Sequence, residues 1–294
     1  MTDPAPALAA AVRDWAPGPT TSTDVLAPGP AAAFSALLDL PAPAAGPGDP
    51  LPPLWHWLHF LDHPRRGELG ADGHPAHGHF LPPLPDRRRM FAGGRLRVRA
   101  PMRIGDRVAC GSELVAVRPK RGRSGEMLFV TLRRTFSRAG EVLAVEEQDL
   151  VYRSQPAGSA RGTAAPEPAE PGGAAEGRGP RLALPTDPVL LFGFSALTAN
   201  SHRIHYDAPY ATGVEGYPGL VVHGPLLVLL ALELVRRERP GAALTEVEHR
   251  LVRPAFAGAP LVATGNVEGE RLELTAGTAG APASVTVTAR VAPG

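Results

Sequence analysis

The sequence has only one cysteine, Cys110, which excludes an intrachain disulfide. No spacing of cysteine and histidine is typical of a structural zinc site. An excess of charge of one sign is also lacking, since 30 Lys and Arg residues against 29 Asp and Glu residues leave a net charge of +1. A polyanionic partner such as nucleic acid is therefore not favoured. We expect a chain kept in a reducing compartment.

Long apolar runs are absent as well. The longest, from residue 225 to residue 234, is interrupted by Glu233, whereas a membrane-spanning helix needs about 20 apolar residues. The first residues, MTDPAPALAAAVRDWAPG, place Asp3, Pro4 and Pro6 where an export signal has a basic end and a continuous apolar segment. We therefore expect no membrane span and a cytoplasmic location.

Residues 154–180 lack aromatic and large aliphatic side chains. Such a segment cannot bury enough surface to offset the entropy that it would lose on ordering. We predict a disordered linker here, between an amino-terminal module (residues 1–153) and a carboxy-terminal module (residues 181–294). The length of 294 residues is consistent with two domains of ordinary size.

The carboxy-terminal module has a legible pattern. The run VLLFGFSALT, residues 189–198, favours a strand, and the leucine-rich stretch that follows VVHGP favours a buried helix. We place the start of that helix near His223 or Gly224, with Pro225 at an early position. Three strand-like segments follow, the middle one a hairpin, in the sequences LTEVEHRLVRPAF, APLVATGNVEGERLELTAG and ASVTVTARV. One buried helix beside antiparallel strands predicts an α+β fold.

The amino-terminal module ends in the same way, with strand-like stretches separated by the turns PKRGRSG and AG. Superposing Pro101-x-x-x-Gly105 on Pro254-x-x-x-Gly258 aligns the strands of both halves at one offset, which predicts an internal repeat. PAAAFSALLDL is a candidate amphipathic helix. Glu146, Glu147 and Asp149 alternate with apolar residues and predict a solvated strand face.

The stretch ANSHRIHYD, residues 199–207, gathers polar groups beside apolar runs. His202 and His205 would share one face of a helical turn. A polar loop with Asp207 as a helix cap fits this pattern, and so does a metal site formed by the two histidines and Asp207. The spacing alone does not decide between these alternatives and an active site.

The sequence ALTANSHRIHYDAPYA, followed by GYPGLVVHGPL, resembles the signature of the MaoC-like R-specific enoyl-thioester hydratases and dehydratases. The amino-terminal stretches LPPLWHWLHFLDH, GHPAHGHFLPPLPDRRRMFAGGRL, KRGRSGEMLFVTLRR and EEQDLVYR resemble the branch with mesaconyl-CoA hydratase and the fungal mitochondrial 3-hydroxyacyl-thioester dehydratases. The resemblance implies a double hotdog, in which two modules each wrap a sheet around a central helix. The first half lacks a counterpart of the HxxH...HG pattern in the matching position, so we expect a degenerate first module that forms pocket walls.

In such enzymes water adds reversibly to the double bond of a 2-enoyl thioester. The resemblance assigns acid/base work to His205, because a histidine can carry a proton at cellular pH. Asn200 stands where the wider family has aspartate, and we expect it to orient the water. Gly224 is expected to offer its backbone N–H to the developing oxyanion at the start of the helix.

Further residues are expected at the substrate. Arg203 could pair with the second carboxylate of a short dicarboxylic acyl group of the mesaconyl type, although the sequence alone favours a surface arginine. The other expected substrate contacts are His202, Asp207, His223, Trp55 and Trp57, with a bracing role for His223 and a core position for the tryptophans as alternatives. PDRRRM and KRGRSG could meet the phosphates of coenzyme A. The cluster of His74, His77 and His79 is not expected to bind a metal.

These expectations describe a hydro-lyase that needs neither a metal nor a redox cofactor and acts on an acyl-CoA thioester. A dehydratase of 3-hydroxyacyl groups on acyl carrier protein is an alternative. A non-catalytic thioester-binding subunit is a third reading, suggested by Asn200. Association into a homodimer is left open.

Overall fold

The computed structural model describes residues 7–84, 87–122, 125–154 and 179–293. Residues 155–178 of the predicted linker lie outside these ranges, so the linker and the module boundaries stay predictions. In the described parts of the chain, no helix is long and apolar enough to cross a membrane.

Four α-helices, ten strands and several short turns make up the described fold. The helices are α1 (Ala7–Ala11), α2 (Pro28–Leu37), α3 (Pro188–Leu197) and α4 (Gly224–Glu238). The strands of the first half are β1 (Thr20–Val25), β2 (Arg87–Val98), β3 (Arg107–Gly122), β4 (Gly125–Arg138) and β5 (Glu141–Ser154). Those of the second half are β6 (Arg181–Leu184), β7 (Leu244–Leu251), β8 (Leu261–Asn266), β9 (Arg271–Thr278) and β10 (Val285–Val291).

All ten strands form one antiparallel sheet in the order β1-β3-β4-β5-β2-β7-β10-β9-β8-β6. Each half uses the same internal order, because β6, β7, β8, β9 and β10 repeat the positions of β1 to β5. The halves are joined at β2 and β7, which pair from Gly93 with Arg250 to Arg97 with Glu246. The predicted repeat is therefore confirmed as a repeat of topology.

A single sequence offset, however, does not align the strands of both halves. The two Pro-x-x-x-Gly motifs do correspond, since the third residue of each forms an isolated bridge, Arg103 with Pro50 and Phe256 with Val221. Beyond them, β3 and β4 have 16 and 14 residues, whereas β8 and β9 have 6 and 8. The shorter hairpin of the second half breaks the alignment.

Helix α4 is the centre of the second half. It begins at Gly224 with Pro225 in its first turn, as predicted, because proline fits an early helical position that needs no N–H donor. Every residue from Leu226 to Val235 is buried, and the helix packs against β8, β9 and β10. Burial contributes about 1.5–3 kcal/mol for each large aliphatic side chain, so this helix is a large part of the core.

The first half has no helix of this length among its described residues. After the Pro50 bridge, the chain forms a single 3-10 turn, Trp55–Leu58, whose residues are all buried. This turn stands in sequence order where α4 stands in the second half. The central element of the amino-terminal module is thus reduced to one turn.

The prediction of a strand over residues 189–198 is wrong, because most of this run is helix α3. The side chain of Asp187 caps the helix by accepting from Leu190 N at 2.8 Å, and Pro188 begins it. The predicted helix in PAAAFSALLDL is confirmed as α2. The two helices pack together, with the rings of Phe34 and Phe194 5.8 Å apart.

The prediction of a solvated face at Glu146 is also wrong. Its side chain is fully buried and accepts hydrogen bonds from His56 Nε2 at 3.0 Å, Trp57 Nε1 at 2.6 Å and Gln148 Nε2 at 2.9 Å. Burial opposes its ionisation, but His56 together with Arg134 and Gln148 outweighs burial and lowers the pKa of Glu146 to about 2. Its neighbour Glu147 faces the other side of the strand and pairs with arginines.

Candidate active site

The segment between α3 and α4, residues 198–223, carries most of the predicted site residues. At the end of α3, the Thr198 hydroxyl donates to Phe194 O at 2.7 Å, and Ala199 takes a left-handed conformation with a φ of 48°. Asn200 Oδ1 then accepts from His202 N at 3.1 Å. Such a side-chain turn is a common use of asparagine, and it leads the chain into the 3-10 turn Arg203–His205.

His205 is buried and fixed in one tautomer. Its Nδ1 donates to the Val221 carbonyl at 2.7 Å, so Nε2 carries the lone pair of the neutral ring. Burial lowers the pKa of His205 to about 4, despite the opposing hydrogen bond to Val221. The side chain is therefore a neutral proton acceptor at cellular pH.

His223 lies directly against His205. The two rings are stacked with centroids 3.6 Å apart and planes inclined by 20°. His223 Nε2 shares a hydrogen bond of 2.9 Å with the Ser195 hydroxyl of α3, and burial holds the pKa of His223 well below its ordinary value. The side chain is 1% exposed. These contacts favour the bracing role of His223 over direct contact with substrate.

Gly224 follows His223 and is the first residue of α4. Its N–H is thus one of the free donors of the helix start, close to the ring that stacks on His205. The need for glycine has a second cause, because a Cβ at this position would lie 2.1 Å from Leu251 Cδ2 of β7. Any larger residue here would have to displace the Leu251 side chain, independently of any substrate.

Asn200 has a divided role. Its Oδ1 accepts from His202 N, which leaves the side-chain NH2 group and the second lone pair of Oδ1 to contact a water molecule.

A row of imidazoles extends from His205 toward the surface and crosses into the first half of the chain. The rings of His205 and His202 have centroids 5.4 Å apart, and those of His202 and His74 are 4.0 Å apart. His74 Nδ1 is hydrogen-bonded to Asp72 Oδ2 at 2.9 Å. One ligand atom from each of Asp72, His74 and His202 lies within 4.8 Å of the others, a spacing that a metal ion could use.

The contact between the halves is built by backbone as well as side chains. Arg203 N donates to Asp72 O at 2.9 Å, and the Ser201 hydroxyl donates to Gly73 O at 2.6 Å. Gly73 has a φ of 89°, and a Cβ there would lie 1.9 Å from Ser201 O. Only glycine allows this approach. Residues 70–74 are therefore locked onto the segment that carries the histidines.

Arg203 and Asp207 contact each other and not an open site. The guanidinium of Arg203 donates from Nε and Nη2 to Asp207 Oδ2 at 2.9 and 2.7 Å, and from Nη1 to Ala71 O at 3.0 Å. It also lies over the Tyr210 ring, 4.0 Å from its centroid. Asp207 Oδ1 in turn accepts from Tyr210 N at 3.1 Å. These contacts favour a structural role for Arg203 and Asp207 over the expected binding of a substrate carboxylate by Arg203.

Trp55 and Trp57 are core residues. The Trp55 ring packs edge-on against Phe34, 4.8 Å between centroids, and Trp57 is held by its bond to Glu146. Neither lies on the cleft beside His74, so the expectation that they form an acyl-pocket wall is not met there.

A cleft of about 330 Å³ opens beside His74. Two of the three arginines in PDRRRM have protein partners: Arg87 donates to backbone carbonyls of Pro75, Ala76 and Pro82, and Arg88 pairs with Glu215 at 2.8 Å. Arg89 also lines the cleft and is exposed. The remaining lining comprises Gly70, Ala71, Asp72, Pro75, Ala76, Leu81, Leu84, Tyr210 and Glu215. The described residues of KRGRSG, Lys120 to Gly122 and Gly125, are not on this cleft.

Sequence reasoning found His205, His202, Asn200, His223 and Gly224, which the structure brings together. It considered His74 only as part of a metal-like cluster. It missed Asp72 altogether, although the short sequence Asp-Gly-His is a signal for a turn that hydrogen-bonds a histidine to a carboxylate.

Two α+β halves share one antiparallel sheet, and a neutral buried histidine lies beside the start of the helix at the centre of the second half. These features define the class: the chain is a hydro-lyase of the MaoC-like hydratase and dehydratase type. It belongs to the family described as Hydroxyacyl-thioester dehydratase type 2, whose sequence profile matches residues 54–257. The chain is also 43% identical, over 83% of its length and 85% of the relative's, to Mesaconyl-C(4)-CoA hydratase of Chloroflexus aurantiacus.

Solved structures agree on the fold. A MaoC-like dehydratase superposes with a TM-score of 0.67 at 16% identity, over 95% of this chain and 99% of the other. A Mycobacterium tuberculosis protein described as having a double hotdog fold superposes with a TM-score of 0.57 at 17% identity, over 94% and 96% of the two chains. The expected double hotdog is thus confirmed, and the family match together with the 43% identical relative confirms the expected hydratase or dehydratase activity.

Proposed function

We propose that this enzyme adds water reversibly to the double bond of a short dicarboxylic 2-enoyl-CoA of the mesaconyl type. The observation that carries the chemistry is the fixed neutral imidazole of His205, whose Nδ1 is bound to Val221 and whose ring is stacked on His223 beside α4. The choice of acyl group is supported by the 43% identity to Mesaconyl-C(4)-CoA hydratase. Arg89, which is exposed on the cleft beside His74, suits a substrate with a second carboxylate.

In the hydration direction, His205 Nε2 takes a proton from the water as its oxygen bonds to Cβ. Asn200 orients this water through its side-chain N–H groups. The electron pair of the double bond moves toward the thioester oxygen, where the N–H of Gly224 and the dipole of α4 stabilise the negative charge. In this proposal residues 181–294 carry these groups, and residues 1–153 complete the pocket.

A substrate panel tests the proposal. Purified enzyme is given mesaconyl-C4-CoA, crotonyl-CoA and a 3-hydroxyacyl group on acyl carrier protein, and the change in enoyl-thioester absorbance is followed. We expect the highest kcat/KM with the dicarboxylic CoA thioester. A preference for the carrier-protein substrate would replace this proposal with the dehydratase alternative, and inactivity with all three would favour a binding subunit.

Arg89 offers a sharper test of the acyl group. Arg89→Met should lower kcat/KM for the dicarboxylic substrate more than for crotonyl-CoA, because only the dicarboxylic substrate has a second carboxylate that Arg89 can bind. Arg97→Met, on the same strand with a side chain that is 78% exposed, is the matched control. Equal losses with both substrates would place the second carboxylate elsewhere. A cytoplasmic location and homodimerisation stay predictions, open to fractionation and light scattering.

A further inference from the structure

We infer that Asp72 and His74 of the amino-terminal module form a second acid/base pair of the active site. The pair supplies the carboxylate that position 200 lacks and gives His74 the role of proton donor to Cα. This inference rests on the proposed function and deepens it. His74 is the catalytic residue of the pair, and Asp72 acts through it as a positioning residue.

The pair has the geometry of an oriented acid/base group. Asp72 Oδ2 binds His74 Nδ1 at 2.9 Å, while Asp72 Oδ1 accepts from His74 N at 3.0 Å. Both ends of the carboxylate are thus engaged by one residue, which fixes the orientation of the imidazole. With Nδ1 committed to the carboxylate, proton exchange falls to Nε2.

The position of the pair suits exchange with substrate and solvent. The side chains of His74 and Asp72 are 22% and 27% exposed, and both line the cleft. His205, by contrast, is 7% exposed and lies behind His202. The row from His74 through His202 to His205 therefore leads from the wall of the cleft into the core.

This arrangement is held by the protein on both sides. Arg203 N binds Asp72 O, Ser201 Oγ binds Gly73 O, and the backbone of Gly73 lies against that of Ser201. A loop that only covered the site would not need a glycine pressed against the backbone of the histidine segment. Three independent contacts instead set the distance between His74 and His202.

The proton balance closes without a further reactant. In hydration, the O–H bond of water breaks, its proton goes to His205 Nε2, and the C–O bond forms at Cβ. The π electron pair becomes an enolate, which collapses as Cα takes a proton from His74 Nε2. His205 is then protonated and His74 is neutral. Transfer through His202, whose ring centroid lies 4.0 Å from His74 and 5.4 Å from His205, restores the starting state by way of intervening water.

The test compares His74→Gln and Asp72→Asn with His77→Gln, an exposed histidine of the same loop. We expect His74→Gln to lower kcat about 100-fold or more with KM nearly unchanged, and His77→Gln to match wild type. Adding Asp72→Asn to His74→Gln should cause little further loss, because the carboxylate acts through the imidazole. Added imidazole should restore part of the kcat of His74→Ala, since the position is on the cleft.

Circular dichroism and thermal unfolding establish that each variant is folded. A folded His74→Gln variant with normal kcat would overturn the inference, and so would a His74→Ala variant that imidazole cannot rescue. Loss of wild-type activity with a chelator and its return with Zn²⁺ would also overturn it, in favour of a metal held by Asp72, His74 and His202. Failure of the proposed function is distinguishable, because the wild-type enzyme would then prefer the carrier-protein substrate or turn over no thioester.

Discussion

The imidazole of His205 lies nearly parallel to that of His223, with ring centroids 3.6 Å apart. Protonation of either ring would place a buried positive charge against its neighbour, away from solvent. Burial disfavours the charged form of both rings and lowers both pKa values, and a charge on His205 further lowers the pKa of His223. The stack therefore keeps both rings neutral, and it leaves His205 ready to accept a proton.

Replacement of this base should abolish most turnover. We expect His205→Gln to lower kcat by about 10²–10⁴-fold, because glutamine cannot take a proton from water. Stopped assays with mesaconyl-C4-CoA measure the loss. His79→Gln, at an exposed histidine that is hydrogen-bonded to Gly18 O and packed edge-on against Phe80, is the control and should keep full activity. Near-normal turnover by a folded His205→Gln variant would remove His205 from the mechanism.

The same histidine should make the fold sensitive to acid. The pKa of His205 is about 4 in the folded chain and near its ordinary 6.5 when unfolded, so between these values the unfolded state binds more protons. The free energy of unfolding should fall as the pH drops from 6.5 to 4, by up to roughly 3 kcal/mol from this group. Urea unfolding across that range measures it. As the pH falls, the free energy of unfolding of the His205→Gln variant should decline less than that of the His77→Gln variant. Equal slopes for the two variants would contradict the low pKa assigned to His205.

The buried carboxylate in the first half should be important for stability. Glu146→Gln would turn a side-chain NH2 toward groups that donate, His56 Nε2 or Trp57 Nε1, and should lower the free energy of unfolding by about 1–3 kcal/mol or more. Glu147→Gln, one residue away on the opposite face, should cost about 1 kcal/mol or less. Chemical denaturation of both variants decides the matter. A similar loss for the two would mean that the buried network contributes little.

The close approach between the modules can be tested at Gly73. Gly73→Ala must force apart the backbones of residues 73 and 201, so we expect a clear loss of activity together with lower stability. Gly48→Ala is the matched control, because Gly48 has a similar φ of 83° but no atom within 4 Å of the added Cβ. Its effect should be limited to about 1 kcal/mol of backbone strain. If both variants kept the same kcat, the docking would not matter for catalysis.

The packing reason for Gly224 predicts a compensating pair. Gly224→Ala should destabilise α4 because the new methyl group meets Leu251 Cδ2. Adding Leu251→Ala removes the obstacle and should recover part of the stability lost at position 224. Thermal unfolding of the two single variants and the double variant measures this coupling. Strict additivity would show that the glycine is needed for another reason.

Much of the fold could be predicted because its signals are local. The leucine run after Pro225 specified α4, and alternating residues specified the strands. The prediction of a strand over residues 189–198 was wrong because a short continuous apolar run fits a buried strand as well as a helix. The deciding signal, Asp187 followed by Pro188, lay just before that run.

The residues of the candidate site likewise fall into those that the sequence could predict and those that it could not. The resemblance marked His205, Asn200 and Gly224, which lie within one stretch of sequence. Asp72 and His74 reach this stretch only through tertiary docking across more than a hundred residues, as the bond from Ser201 Oγ to Gly73 O shows. Burial of Glu146 likewise depends on a distant turn at residues 56 and 57. Periodicity within a strand carries no information about such partners.

The seam between β2 and β7 has a consequence for any attempt to divide the chain. Residues 181–294 produced alone would leave β7 with one row of unsatisfied backbone donors and acceptors. Such a fragment could satisfy these groups by pairing its β7 with the β7 of a second copy around a twofold axis. In the intact chain β2 takes the place of that second copy. The pairing at the middle of the sheet is therefore intramolecular and does not depend on protein concentration.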